Sequence, residues 1–175
     1  MKKLQTVIAT AIAAALAAGC QSMSADGPKA TANLEPTKGS AVRGTAQFVE
    51  SGGKVQVSAK ISGLKPNSEF GFHIHEAGDC SSGDGMSTKG HYNPQGKPHA
   101  HAGAKERHAG DLPSLKSDAG GNASLDASVD IITVSPGPTS IVGRGLIVHA
   151  QPDDFVTQPT GNAGARSACA VIQRS

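Results

Sequence analysis

A chain of 175 residues is long enough for one domain with a substantial core. Its 16 basic and 14 acidic residues leave a formal net charge of +2 with no basic block, so charge gives no footing for nucleic-acid binding. Aromatics are 3% of the chain, Trp is absent, and Gly (22) and Pro (10) are plentiful, a composition that suits many turns and argues against a helical bundle.

The chain opens on MKK and then TVIATAIAAALAA (residues 6–18), an uncharged apolar run too short to span a membrane comfortably. This order fits the start and h-region of a secretory signal. The run ends in AAGC, which resembles a bacterial lipoprotein cleavage site with Cys20 as the lipidated residue. A plain signal cleaved nearby is the alternative, since Ala17 stands where such sites usually carry Leu. Loss of residues 1–19 removes Lys2 and Lys3, lowering the basic count from 16 to 14 against 14 acids, so the mature chain is formally neutral. Residues 20–40 are polar and aperiodic and read as a flexible tether, with a folded domain expected over 41–175.

Strand-like runs follow. AVRGTAQFVE (41–50) is the first, and KVQVSAKI (54–61) alternates cleanly with Val55, Val57, Ala59 and Ile61 on one face. EFGFHIHE (69–76), NASLDASVDI (122–131), GRGLIVHA (143–150) and ACAVIQ (168–173) complete the set. Two long irregular stretches, 77–121 and 150–167, separate them; loops of that length are usually functional or disordered. The fold class is therefore all-β. Three cysteines are an odd count for an exported chain. With Cys20 lipidated, Cys80 and Cys169 are left, either as a disulfide or as two unpaired buried thiols.

The histidines carry the chemistry. In GFHIHE, His73 and His75 are two apart and share one face of a strand. In GLIVHA, Val148 faces one way and His149 the other, so His149 could join them from a neighbouring strand. The loop GHYNPQGKPHAHAGAKERHAGD (90–111) offers His91, His99, His101, His108 and Asp111. So polar a loop buries little apolar surface, and a bound metal is a physical means of ordering it. Three imidazoles and a carboxylate match a tetrahedral zinc site.

Taken together, GFHIHEAGDC (71–80), GHYNP (90–94), RHAGDL (107–112), VHAQPDD (148–154) and GNAGARSAC (161–169) make the chain resemble a bacterial copper,zinc superoxide dismutase from about residue 41 to the end. The resemblance implies an eight-stranded antiparallel Greek-key β-barrel, an immunoglobulin-like sandwich, with two long functional loops. It implies one copper held by His73, His75, His91 and His149, and one zinc held by His91, His99, His108 and Asp111, with His91 bridging the two. His101 is then spare, and reads as a solvated loop histidine. Asp153 matches a carboxylate that links a copper histidine to a zinc histidine. Arg166 matches an arginine beside the copper, a fixed cation that attracts and orients a small anion. Cys80 and Cys169 match the family disulfide.

The implied reaction takes two superoxide anions to oxygen and hydrogen peroxide, with copper cycling between two oxidation states and His91 carrying a proton. Lys89 and Lys97 are further candidate guides for the anion, though a solvated lysine is the simpler reading of each. The expected location is the bacterial cell envelope, in the periplasm, touching the membrane only through a lipid on Cys20, as a monomer or homodimer. A non-enzymatic periplasmic copper- and zinc-binding protein is the rival reading; it would need the ligands but neither Arg166 nor the bridge. A structural sandwich with a zinc-stapled loop would not need His73, His75 or His149.

Overall fold

The structure, a computed structural model, describes residues 27–175. The signal-like segment 1–19, Cys20 and the first part of the expected tether, to residue 26, lie outside the described residues. Strand formation begins earlier than expected. Strand β1 is Lys29–Pro36, where a tether was anticipated, and β2 is Arg43–Ser51. In KATANLEP the residues Ala30, Ala32 and Leu34 alternate inward and are buried, while Lys29, Asn33 and Glu35 face out. Two of the three inward residues are alanines, so the period is present but its hydrophobic contrast is weak. The tether reading is thereby corrected for residues 29–36.

The remaining strands are β3 (Lys54–Ser62), β4 (Glu69–Phe70), β5 (Phe72–His75), β6 (Leu115–Lys116), β7 (Ala123–Val129), β8 (Gly145–His149), β9 (Arg166–Val171) and β10 (Gln173–Arg174). Helix among the described residues is one 3-10 turn, Met86–Thr88, and no helix there is long and apolar enough to cross a membrane. The main sheet runs β5-β8-β9-β1-β2-β3-β7, with β10 beside β1 and every strand pair antiparallel. A β4–β6 pair closes it: a Ser117–Ala123 bridge joins the end of β6 to β7, and Gly71 alone separates β4 from β5. With β4 counted with β5 and β9 with β10, this is an eight-stranded barrel. The β3–β4 and β7–β8 connections leave one side of the sheet and return on the other, as in a Greek key.

Alternation places the core and the site on opposite faces. On β3, Val55, Val57, Ala59 and Ile61 are buried as expected, and they join Phe48, Phe72, Ile74, Leu146 and Val148 inside the barrel. Removing a ring such as Phe48 from this interior should cost roughly 3–5 kcal/mol. On β5, Phe72 and Ile74 point inward, so His73 and His75 point outward. They are nevertheless fully buried, because the long loops cover that face. Ile147 on β8 pairs with His73 and lies under the same cover.

A disulfide joins Cys80 to Cys169, 89 residues away, and ties the covering loop to β9. Closing a loop of that length restricts the unfolded chain by roughly 4 kcal/mol on the chain-entropy account. Because β1 is hydrogen-bonded between β2 and β9, its removal would expose two strand edges and part of the core. A chain lacking residues 1–26 should melt cooperatively, and one lacking 1–36 should not. A cooperative transition in the shorter chain, followed by circular dichroism, would show β1 to be dispensable.

Candidate metal centre

Two groups of buried side chains lie on the covered face. His73, His75, His91 and His149 form one, and His91, His99, His108 and Asp111 the other; within each, the candidate ligand atoms all lie within 4.8 Å of one another. His91 belongs to both. The sheet itself sets this arrangement. Tyr92 N–H donates to the Ile74 carbonyl (2.8 Å), Ile74 N–H to Gly110 (2.9 Å) and Gly110 N–H to Tyr92 (2.9 Å). The irregular 90–111 loop is thus stitched onto β5, with His91 opposite His75 and Asp111 opposite His73.

Each ring is turned by a hydrogen bond on its far nitrogen, which leaves the near nitrogen as a lone pair. His73 donates from Nε2 to Asp153 Oδ2 (2.7 Å), freeing Nδ1. His75 donates from Nδ1 to the Lys89 carbonyl (2.8 Å), and His149 from Nδ1 to the Gly164 carbonyl (3.3 Å), freeing both Nε2 atoms. Those two Nε2 atoms face each other at 3.4 Å. Nδ1 of His73 and Nε2 of His91 are buried and have no protein partner. Buried lone pairs aimed together are unfavourable unless a cation lies among them, so the donor set fits a metal.

The second group converges on one oxygen. Nδ1 atoms of His91, His99 and His108 lie 2.9, 3.0 and 3.4 Å from Asp111 Oδ1. The other Asp111 oxygen accepts from the backbone N–H of His108 (3.0 Å) and Ala100 (3.2 Å). Three nitrogens and one carboxylate oxygen, all buried, are a zinc-type donor set. Asp153 connects the groups, since its Oδ1 accepts from His99 Nε2 (2.9 Å) while Oδ2 holds His73. His101 lies outside both groups, its exposed ring edge-on to Phe155 at 4.9 Å.

Electrostatics separates the groups as well. Burial, reinforced by neighbouring histidines, pushes His75 well below its ordinary value, His91 to about 4 and His149 to about 3. These rings are neutral and ready to coordinate near pH 7. Burial alone would depress His99 too, but its hydrogen bonds to Asp111 and Asp153 outweigh that and raise it to about 9. Burial would raise Asp111 and Asp153, yet the histidines hydrogen-bonded to each hold both well below the carboxylate range.

Arg166 reaches this face through a β-bulge. Val148 pairs with Ala168, but His149 pairs with Arg166, leaving Ser167 out of step. Regular pairing would put Ser167 opposite His149 and turn Arg166 the other way; the extra residue re-aims it. Some supporting residues are not visible from motif reading. Gln158 holds the His99 backbone from both sides, accepting from its N–H and donating to its carbonyl, each at 2.8 Å. Gly161, at φ +67°, leaves room that a Cβ would fill, only 1.8 Å from Asp153 Oδ1 and 2.6 Å from His99 Nε2. Its place in GNAGARSAC is the only sequence signal for that role.

A closed antiparallel barrel carrying an all-imidazole nest and an imidazole–carboxylate nest around one shared ring defines a two-metal β-barrel protein. The sequence profile described as copper/zinc superoxide dismutase (SODC) matches residues 42–172. Superoxide dismutase (Cu-Zn) 2 of Aquifex aeolicus (strain VF5) is 37% identical over 177 residues, spanning 99% of this chain and 100% of its own. The Cu-Zn superoxide dismutase of Paramecium bursaria Chlorella virus 1 is 44% identical over 137 residues, 75% of this chain and 72% of its own. The crystal structure of the clock protein EA4 superposes with a TM-score of 0.76 at 40% identity, covering 85% of this chain and 95% of that one. The chain belongs to the copper/zinc superoxide dismutase family.

The raised His99 gives a pH signature. Its charged form stabilises the metal-free fold; that contribution is complete below the ordinary value of 6.5 and is lost as pH rises through about 9. A zinc ion held at Nδ1 would have to displace that proton, so binding at pH 7 should release about one proton and affinity should rise with pH up to about 9. Calorimetry of zinc binding in buffers of different ionisation enthalpy reads this number directly. A value of zero at pH 7 would mean that His99 is neutral.

Proposed function

We propose that His73, His75, His91 and His149 hold the copper of this superoxide dismutase, and that His91, His99, His108 and Asp111 hold its zinc, one ion of each in the chain. The supporting observation is the pair of buried, unpartnered nitrogens, Nδ1 of His73 and Nε2 of His91, on the all-imidazole side. Imidazoles alone suit copper, and a mixed imidazole–carboxylate set suits zinc. When bound, copper supplies one-electron chemistry, by which one superoxide is oxidised to oxygen and a second, with two protons, is reduced to hydrogen peroxide.

The chain's own residues prepare that chemistry. Asp153 fixes the tautomers of His73 and His99 together, and the Lys89 and Gly164 carbonyls do the same for His75 and His149. His91 keeps Nδ1 on the Asp111 side and offers Nε2 to the other, so Nε2 is the atom that can give up, take and deliver a proton. Arg166 supplies a fixed positive charge beside His149. Its guanidinium donates to the Gly85 and Lys89 carbonyls and to Thr88 Oγ1, all neutral oxygens. Lys89 and Lys97, by contrast, have Glu76 at 3.8 Å and Glu106 at 2.7 Å. Arg166 is therefore the residue we assign to anion capture.

We further infer that residues 1–19 direct export, that Cys20 carries the lipid, and that the protein works in the bacterial periplasm. The Cys80–Cys169 disulfide supports an oxidising compartment. Among the described residues the exposed large apolar side chains are Met86 and Val156, too few for an apolar dimer core, which favours a monomer.

Two experiments test these roles. Arg166→Ala should keep both metals and lose roughly tenfold in second-order rate, and Arg166→Glu should lose more because the local field reverses. Rising salt should slow the wild type more than the Ala variant. An Arg166→Glu enzyme as fast as wild type at low salt would remove this arginine from substrate capture. With cobalt in place of zinc, wild type should show copper–cobalt magnetic coupling and His91→Ala should not; no coupling in fully loaded wild type would mean two independent sites.

A further inference from the structure

The turn under Arg166 contains a hydroxyl that no metal and no ligand explains. Thr88 is completely buried, an unusual position for a threonine in a loop most of whose residues are exposed. Its Oγ1 donates to the Gly85 carbonyl (2.8 Å) and accepts from Arg166 Nη1 (2.9 Å). The same Nη1 donates to the Gly85 carbonyl, so hydroxyl, carbonyl and guanidinium form a closed triangle. Arg166 Nη2 goes to the Lys89 carbonyl, which also takes the Nδ1 proton of His75.

The turn is built to receive the arginine. Gly85 sits at φ +78°, and a Cβ there would come within 3.1–3.2 Å of Arg166 Cδ and Cβ, so the stem lies flat on the glycine. The Thr88 backbone is fixed independently, its carbonyl taking the Ala77 N–H (3.0 Å) and its N–H donating to Gly85 (3.1 Å). Behind it, the Thr88 side chain packs on Gly145 of β8, where a Cβ would meet its Cγ2 at 2.9 Å. At the other end, Thr37 Oγ1 holds the Arg166 carbonyl (2.6 Å). The guanidinium is thus restrained at both Nη atoms by backbone carbonyls, with the hydroxyl as the one side-chain partner and the second acceptor of Nη1.

We propose that Thr88 is a positioning residue for superoxide capture, its hydroxyl setting the direction in which Arg166 presents its remaining N–H groups and charge to an incoming anion. The proposal rests on the assignment of Arg166 to anion capture. A planar guanidinium recognises an anion by direction as well as by charge. Loss of the hydroxyl would leave Nη1 with the Gly85 carbonyl alone and one N–H without its buried acceptor, loosening the seat, and small displacements of an orienting group are expensive in rate.

The test uses Thr88→Val, which keeps the shape and deletes the hydroxyl, and Thr88→Ser, which keeps the hydroxyl, in metal-loaded protein. Azide binding, followed by visible absorption, reports anion capture without turnover. Thr88→Val should bind azide about fivefold more weakly and lose a similar factor in second-order rate, with metal content unchanged, and Thr88→Ser should restore both. In an Arg166→Ala background the Val change should have no further effect, because the two residues act as one unit. If Arg166→Ala weakens azide binding but Thr88→Val does not, the proposal is overturned while the role of Arg166 stands. If Arg166→Ala itself leaves azide binding unchanged, the assignment beneath it fails. Should the Val protein not load metal, the wild type decides. Slow exchange of the Arg166 guanidinium protons by NMR supports the seat, and exchange as fast as in free arginine overturns it.

Discussion

Six imidazoles and two carboxylates cannot share a dry pocket unless every ring nitrogen has a settled partner. An unassigned lone pair or proton there carries the full penalty of a buried polar group, and neighbouring charges repel at low dielectric. The arrangement answers this ring by ring. Asp153 takes one nitrogen each of His73 and His99, the Lys89 and Gly164 carbonyls take one each of His75 and His149, and Asp111 gathers His91, His99 and His108. What remains on the inner side are lone pairs on His73, His75, His91 and His149, which a metal ion can use, and on His99 a proton that a metal would have to displace. Much of the rest of the chain can be understood as keeping these partners from moving.

Rigid elements support most of them. His73, His75 and His149 stand on β5 and β8, whose other faces pack into the barrel through Phe72, Ile74, Leu146 and Val148. His91 and Asp111 belong to a loop, but the Ile74–Tyr92–Gly110 ladder makes them behave as if on strands. The loop from 77 to 90 is held at Cys80 to β9, three residues from Arg166. Even β1 reaches the site, since Thr37, immediately after it, holds the backbone of Arg166 and Ser167. A strand whose inward residues are mostly alanine thereby helps to restrain Arg166 on the neighbouring strand.

This explains what was legible in the sequence. The parity of His73 and His75, and of Val148 against His149, could be read directly, because alternation on a strand is a local property. The grouping of His91, His99, His108 and Asp111 as candidate ligands, with His101 left over, needed the family resemblance: a loop of glycine, proline and alanine has no period from which to infer direction. Arg166 lies one residue out of step, so parity alone would have turned it away from the site; only the bulge at Ser167 brings it round. β1 was hidden because alanine gives little hydrophobic contrast. Thr88 and Gln158 were hidden because their roles depend on residues 78 and 59 positions away.

The same geometry accounts for selectivity without a shaped pocket. One cavity reaches the site at His91, from the side bearing Tyr92 and Arg144. A substrate of two atoms offers almost nothing for shape to recognise, so charge and direction have to discriminate. Global charge can help little, because 16 bases against 14 acids leave a net charge of only +2. Local charge can. Arg107 is matched by Asp130 at 2.6 Å, Lys97 by Glu106 and Lys89 by Glu76, whereas none of the described carboxylates lies within ion-pair distance of Arg166. Its hydrogen-bond partners are neutral and the nearby Asp84 carboxylate acts on it only beyond ion-pair distance, so its charge is less offset than in a direct ion pair. A cation fixed by carbonyls and a hydroxyl keeps both its direction and its field, whereas a cation fixed by a carboxylate would keep only its direction.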